Sequence, residues 1–165
     1  MVHVLQLRIG EEILLVDGAG KRVAGEIVGY SEKSVEVRIQ QLREDEGAAV
    51  TPTQEKRIYV CAAILKKDHF EWLAEKLAEL GVTDLIPLVT ARTIKKDIRL
   101  DRLETIAKEA MEQSEQARVM TIHAPTELMG AMRLLTRSGV KAVVADTGKG
   151  LKPLPDVLRS RSATA

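Results

Sequence analysis

The stretch "EKLAELGVTDLIPLVTARTIKK", residues 75–96, carries three kinds of signal in order. A helical pattern with Leu77 and Leu80 on one side stops at Gly81, a residue that enters the left-handed region without the penalty of a Cβ and so ends helices. The apolar run "TDLIPLVT" then has the length and composition of a strand. Its Pro87 lacks a ladder N–H, which predicts a place near the strand's end or at a bulge. Cations follow at Arg92, Lys95 and Lys96. Helix, glycine, strand and basic loop in that order make one unit of an α/β layer, with the loop at the carboxyl end of the strand, where such folds bind ligands.

The neighbouring segments repeat the unit. Upstream, "RIYVCAAIL" (57–65) is nearly continuous in apolar residues, which predicts a strand buried on both faces of a parallel sheet. Asp68 is placed to cap the next helix, with Glu71 at capping-box distance, and Phe70, Leu73, Leu77 and Leu80 form its expected buried stripe. Downstream, a long helix begins near Asp101 with Glu104 in the same spacing. Leu103, Ile106, Ala107, Ala110, Met111 and Ser114 mark its packed side. "VMTIHAP" (119–125) reads as a short strand, Thr126 as the opening of a helix that Gly139 ends, and "KAVVAD" (141–146) as a fourth strand. A loop, one helical turn and a polar tail complete the chain. Strands alternating with helices predict a parallel sheet with right-handed crossovers.

The first forty residues follow another period. "VLQLRI" alternates, "EILLVDGAG" stops at Asp17-Gly18, "VAGEIVGY" follows closely, and "SVEVRIQ" places Val35, Val37 and Ile39 opposite Glu36 and Arg38. Four short strands with tight turns predict a small barrel or curled sheet. "LREDEGAAVTPTQEK" (42–56) has charge, glycine and proline without period, so the boundary falls there. The expected domains are residues 1–50 and 56–165, in an α+β two-domain chain.

Composition narrows the function classes. Apolar residues make up 45% of the 165, and aromatics only 2%, so the core rests on Leu, Ile, Val, Ala and Met. No apolar run approaches the roughly 20 residues that span a bilayer, and the N-terminus lacks a secretory pattern; a cytoplasmic protein is expected. One cysteine, Cys61, excludes an internal disulfide and a cysteine-rich metal site. Its place in an apolar run reads as a small buried hydrophobe rather than a nucleophile. His3, His69 and His123 have no ligand spacing, so no metal is expected. Residues 1–50 hold six Lys/Arg against nine Asp/Glu, and the remainder nineteen against fifteen. Neither part is basic enough to imply nucleic acid by composition alone.

Two constellations carry candidate chemistry. "ARTIKKDIRLDR" holds Arg92, Lys95, Lys96, Arg99 and Arg102 against Asp97 and Asp101, which reads either as a cluster straddling a phosphate backbone or as a solvated loop and helix start. "EAMEQSEQARVM" places Gln113 near the edge of a buried helix face, where its amide serves either a base edge or a neighbouring backbone group. "DTGKG" (146–150) is too short for a P-loop and lacks its Lys-Ser/Thr ending.

The whole pattern resembles a known family. "HVLQLRIGEEILLVDGAG", "AAILKKDHFEWLAEKLAELGVTDLIPLVTART" and "IAKEAMEQSEQARV" are similar to segments of the bacterial 16S ribosomal RNA uracil-N3 methyltransferases of the SPOUT superfamily. The motif residues are Lys76, Glu79, Leu80, Gly81, Val82, Ile86, Pro87 and Arg92, then Glu109, Ala110, Glu112, Gln113 and Ser114. The resemblance implies an N-terminal PUA-like β-barrel and an incomplete α/β SPOUT methyltransferase domain with a parallel sheet. It implies S-adenosyl-L-methionine as methyl donor, 16S rRNA or the small ribosomal subunit as partner, and a homodimer with sites at the subunit interface. Arg92 and Gln113 are the implied catalytic residues, Arg8, Lys95, Lys96, Arg99 and Arg118 the implied RNA contacts, and Val144, Ala145 and Asp146 one remaining wall of a cofactor pocket.

The chain departs from the family pattern at Gln6 and Gln116, where the family has Arg, and at Met120, where it commonly has Pro. Arg118 replaces the second Arg after a small shift. The family's "GPEGG"-type turn and "LG–ILR–ETA" segment, which cradle the cofactor, are not in these 165 residues, so the chain alone is expected to have little or no methyl-transfer activity. A non-catalytic RNA-binding module, and a frameshift or artificial end, stand as alternatives.

Overall fold

The computed structural model describes residues 7–31, 34–39, 57–93, 98–146 and 148–162. Residues 4–6 of the alternating segment, the whole boundary region 42–56, and Lys95 and Lys96 lie outside them. The chain divides into two compact units, residues 1–128 and 129–165.

The first unit opens with a three-stranded antiparallel sheet in the order β1 (Glu12–Val16), β2 (Arg22–Tyr30), β3 (Val35–Ile39). Its first pair runs in register with Glu12 opposite Glu26 and Val16 opposite Arg22. β2 is central and carries Ile27, which is fully buried. A bulge between Ile27 and Gly29 twists β2 against β3. The Tyr30 hydroxyl donates to the Leu7 carbonyl at 2.6 Å and ties the incoming chain to the sheet.

A parallel sheet follows, built from β4 (Tyr59–Ala63), β5 (Asp84–Val89), β6 (Thr121–Ile122) and β7 (Thr126–Glu127), with β5 between β4 on one side and β6 and β7 on the other. Helices α1 (Lys67–Glu79) and α2 (Leu100–Gln113) make the crossovers. The strand buried on both faces is β5, whose residues 84–88 are all buried. β4 is only half-buried, because it borders the sheet among the described strands; its apolar run reflects strand propensity more than double burial. Cys61 is half-buried there, and burial pushes its thiol pKa up.

Pro87 sits inside β5 rather than at its end. Asp84 donates its N–H to Ile58 and Leu88 accepts from Ile64, so even-numbered residues of β5 face β4. Leu85 accepts from His123 on the opposite side, so Pro87 faces that side too. There β6 pairs with residues 84–85 and β7 with 88–89, and the gap between them lies opposite Pro87. The partner strand is split where the donor is missing.

The core joins Phe70, Ala74 and Ala78 of α1 to Leu85 of β5 and Leu103, Ala107 and Ala110 of α2, with Met120 below. Burial of Phe70 and Leu103 contributes about 2–3 kcal/mol each, and the alanines let the two helices pack closely. Leu80, expected in the stripe, is 76% exposed. At about 100° per residue it falls more than a quarter-turn from the face centred on Ala74. Asp68 and Asp101 are not caps either. The N-cap residues are Lys66 and Arg99, without side-chain cap bonds, and the two acids lie in the first turns, where they favour the helix dipole.

Thr126 belongs to β7, and α3 (Leu128–Arg137) starts two residues later. Gly139 (φ 67°) ends it. In the second unit, residues 141–146 form no strand. Val143 and Val144 there are exposed, and an apolar run without packed neighbours does not make a strand. The expected single turn near the C-terminus is a nine-residue helix, α4 (Leu154–Ser162). No helix among the described residues is long and apolar enough to cross a membrane.

Candidate functional site

Both crossover helices begin at the carboxyl end of the parallel strands and return to the amino end. The candidate residues divide between these two ends.

At the carboxyl end, β5 runs into the turn Thr90–Thr93. Thr93 donates its N–H to the Thr90 carbonyl (3.0 Å), and the Thr90 N–H returns to the Thr93 hydroxyl (2.8 Å). This closed turn presents Arg92 to solvent. The start of α2 follows, but its cations are engaged. Arg99 pairs with Asp101 at 2.6 Å, and Arg102 Nε with Glu71 Oε1 at 2.8 Å, which joins α2 to α1. The Asp101 carboxyl is held below its usual range, chiefly by its hydrogen bond from Arg99. Of the basic run, Arg92 is therefore the described cation most available to a phosphate or a developing negative charge.

At the amino end stands a network that sequence reasoning missed. Asp84 is fully buried. Arg57 donates to both of its oxygens (Nη2 to Oδ1 2.6 Å, Nε to Oδ2 3.2 Å), and the Thr83 hydroxyl lies 2.8 Å from Oδ2. His123 Nε2 lies 2.8 Å from Oδ1, which as a carboxylate oxygen accepts. Burial opposes ionisation of this carboxyl most strongly, yet the bonds from His123, Thr83 and Arg57 together outweigh it and lower its pKa. Arg57 also lies over the Tyr59 ring, 5.0 Å from its centre. The signal in the sequence was one acid at the head of the most apolar strand. Two of its three partners lie 27 and 39 residues away, beyond any local pattern.

Gln113 is exposed on the last turn of α2, about 20 Å from the helix start by its 14-residue length. The chain therefore does not bring Arg92 and Gln113 together within one protomer. Arg118 is also at the amino end, bridged through its backbone to Gly18 and Ala19. Gln116, aligned where the family has Arg, donates Nε2 to the Glu79 carbonyl at 3.2 Å. Its amide holds the end of α1. Arg8 is exposed, with its backbone N–H bonded to Glu11. Val144, Ala145 and Asp146 are exposed in the second unit, Val144 by 83%.

An antiparallel sheet followed by a parallel α/β sheet, with Arg92 on the turn after its central strand, defines a class of two-part chains that set a small β-module ahead of an α/β layer. Residues 52–163 match the RNA methyltransferase domain family, and residues 1–40 match the RNA methyltransferase PUA domain. The chain belongs to the RNA methyltransferase domain family.

Its relatives agree. The chain is 28% identical over 143 residues to the ribosomal RNA small subunit methyltransferase E of Bacillus subtilis, covering 81% of this chain and 54% of that one. It is 26% identical over 114 residues to the protein of the same name from Rickettsia conorii, covering 68% and 44%. Among solved structures, the Neisseria gonorrhoeae ribosomal RNA small subunit methyltransferase E bound to S-adenosyl methionine superposes with a TM-score of 0.65 at 27% identity, covering 79% of this chain and 54% of that one. The chain spans about half the length of the relatives it matches.

Proposed function

We propose that this chain is the RNA-engaging half of an rRNA methyltransferase that uses S-adenosyl-L-methionine and modifies N3 of a uridine in 16S rRNA, working as a homodimer. Residues 1–50 serve as the RNA-binding module and residues 56–165 as the first part of the methyltransferase domain. The observation that carries this reading is the closed Thr90–Thr93 turn. It holds Arg92 exposed at the carboxyl end of the central strand, inside the segment that matches the family.

The chemistry fits a cation there. A uracil N3–H is a weak acid, so alkylation at N3 requires its proton to leave and negative charge to build on the flanking carbonyl oxygens. A guanidinium held on a closed turn stabilises that charge without reorganising. S-adenosyl-L-methionine supplies an electrophilic methyl group when bound. The role of this chain's residues is to hold the RNA and the charge, with Arg8 and Arg118 as further RNA contacts.

The 165-residue chain alone is proposed to bind 16S rRNA and to transfer no methyl group, in keeping with a span of half its relatives' length and the open Val144–Asp146 stretch. Labelled S-adenosyl-L-methionine and small-subunit RNA test both parts. Retention of RNA without label incorporation is expected. Label at N3 overturns the inactivity, and failure to retain RNA overturns the RNA reading.

A further inference from the structure

The turn between β1 and β2 reaches out of its own sheet. Asp17 Oδ1 shapes it by accepting the N–H groups of Ala19 (2.7 Å) and Lys21 (3.0 Å). The turn then joins the segment between α2 and β6. Val119 donates its N–H to the Gly18 carbonyl at 2.9 Å, and Gly20 donates to the Ala117 carbonyl at 3.0 Å. Arg22 Nη2 completes the join by donating to the Glu115 carbonyl at 2.7 Å.

Glu115 is an unusual recipient. It is the only described non-glycine residue with positive φ, at 55°. It ends α2 in the same hydrogen-bond pattern that Gly81 and Gly139 give the other helices: Gln116 N–H bonds Met111 C=O, as Val82 bonds Leu77 and Val140 bonds Leu135. A side chain in this conformation is strained, and such strain persists only where surrounding contacts hold it. Arg22 supplies one such contact, and the next residue, Gln116, reaches back to the end of α1.

We infer that Arg22 is a positioning residue: by holding the left-handed Glu115 carbonyl it locks the small antiparallel sheet onto the amino end of the parallel sheet. RNA lying across both parts then meets one rigid surface, a consequence that rests on the RNA-binding reading above. Two modules held in fixed relation bind one ligand more tightly than the same modules loosely joined.

The test places spin labels at Glu36→Cys on β3 and Lys108→Cys on α2 in a Cys61→Ser background of the full chain and reads the distance distribution between the antiparallel sheet and the helix packed on the parallel one. A single narrow distribution is expected, and Arg22→Ala should broaden it while helix content by circular dichroism stays unchanged. Affinity for a 16S rRNA fragment should fall by about tenfold. In a Glu115→Gly background, Arg22→Ala should lower Tm by less than it does beside Glu115, because glycine needs no holding. If Arg22→Ala does not fold, Arg22→Gln, which keeps a shorter N–H donor, takes its place with the same expected broadening. An unchanged distance distribution overturns the lock whatever happens to RNA. A broadened distribution with unchanged RNA affinity overturns the shared surface. If the unsubstituted chain retains no RNA, the functional reading fails while the distance measurement still decides the lock.

Discussion

The two ends of the six-residue strand β5 differ in almost every physical respect. At its head, Asp84 is completely buried and bonded to Arg57, Thr83 and His123, which draw β4, β5 and the end of β6 together. At its tail, Arg92 stands on an exposed turn whose bonds are all local. Polar groups at the head are satisfied from inside the protein, so they hold the fold. The guanidinium at the tail remains open to what binds from outside. One strand thus separates stability from chemistry by roughly 20 Å.

The strongest way to break this comparison is at the head. Asp84→Ala should destabilise the chain by about 3 kcal/mol, since it removes the hub of several charge-assisted bonds in a buried site. Urea unfolding followed by circular dichroism measures it. Arg57→Ala should cost less, about 1–2 kcal/mol, because Arg57 is 56% exposed and the carboxylate keeps Thr83 and His123. A larger loss for Arg57 than for Asp84 would move the hub of the network.

The same carboxylate predicts a pH dependence. Its pKa is lowered in the folded chain, so the unfolded chain takes up the proton first, near the ordinary value of 3.8. The stabilisation is present above that value and is lost as pH falls through the lower folded pKa. The stability difference between the chain and Asp84→Asn should therefore be flat above pH 5 and shrink below about pH 4. A difference that instead grows on acidification would reverse the assignment.

Much of the architecture was legible because its signals are local. Gly81 and Gly139 announced two helix ends, Asp17-Gly18 announced the end of β1, and alternation announced β3. What escaped depended on distant chain segments. Glu115 ends α2 without a glycine because Arg22, 93 residues earlier in sequence, contributes a tertiary contact. Pro87 sits inside a strand because its neighbour is split into β6 and β7. The Asp84 network left no local pattern because two of its partners, Arg57 and His123, lie 27 and 39 residues away. At the candidate site, the basic run was visible, but a one-dimensional count of cations could not show that Arg99 and Arg102 are engaged by Asp101 and Glu71. Nor could it show that Gln113 lies at the opposite end of the helix from Arg92.

A smaller effect is expected between the two ends, at the close of α2. Glu115→Gly relieves left-handed strain and should raise stability by about 1 kcal/mol, read as a Tm increase of several degrees. No increase would mean that the contacts around Glu115 already offset the strain in full.

The smallest change in stability belongs to the tail. Arg92→Ala should shift the unfolding free energy by less than about 0.5 kcal/mol, since the exposed side chain lies outside the core and the Thr90–Thr93 bonds do not need it. Under the functional reading it should still weaken binding to 16S rRNA and flatten its salt dependence by about one phosphate contact. Asp84→Asn, at a denaturant concentration where it remains folded, should leave that salt slope intact. The opposite outcome, with a stability loss at Arg92 and a changed RNA slope at Asp84, would show that the two ends of β5 are not divided in this way.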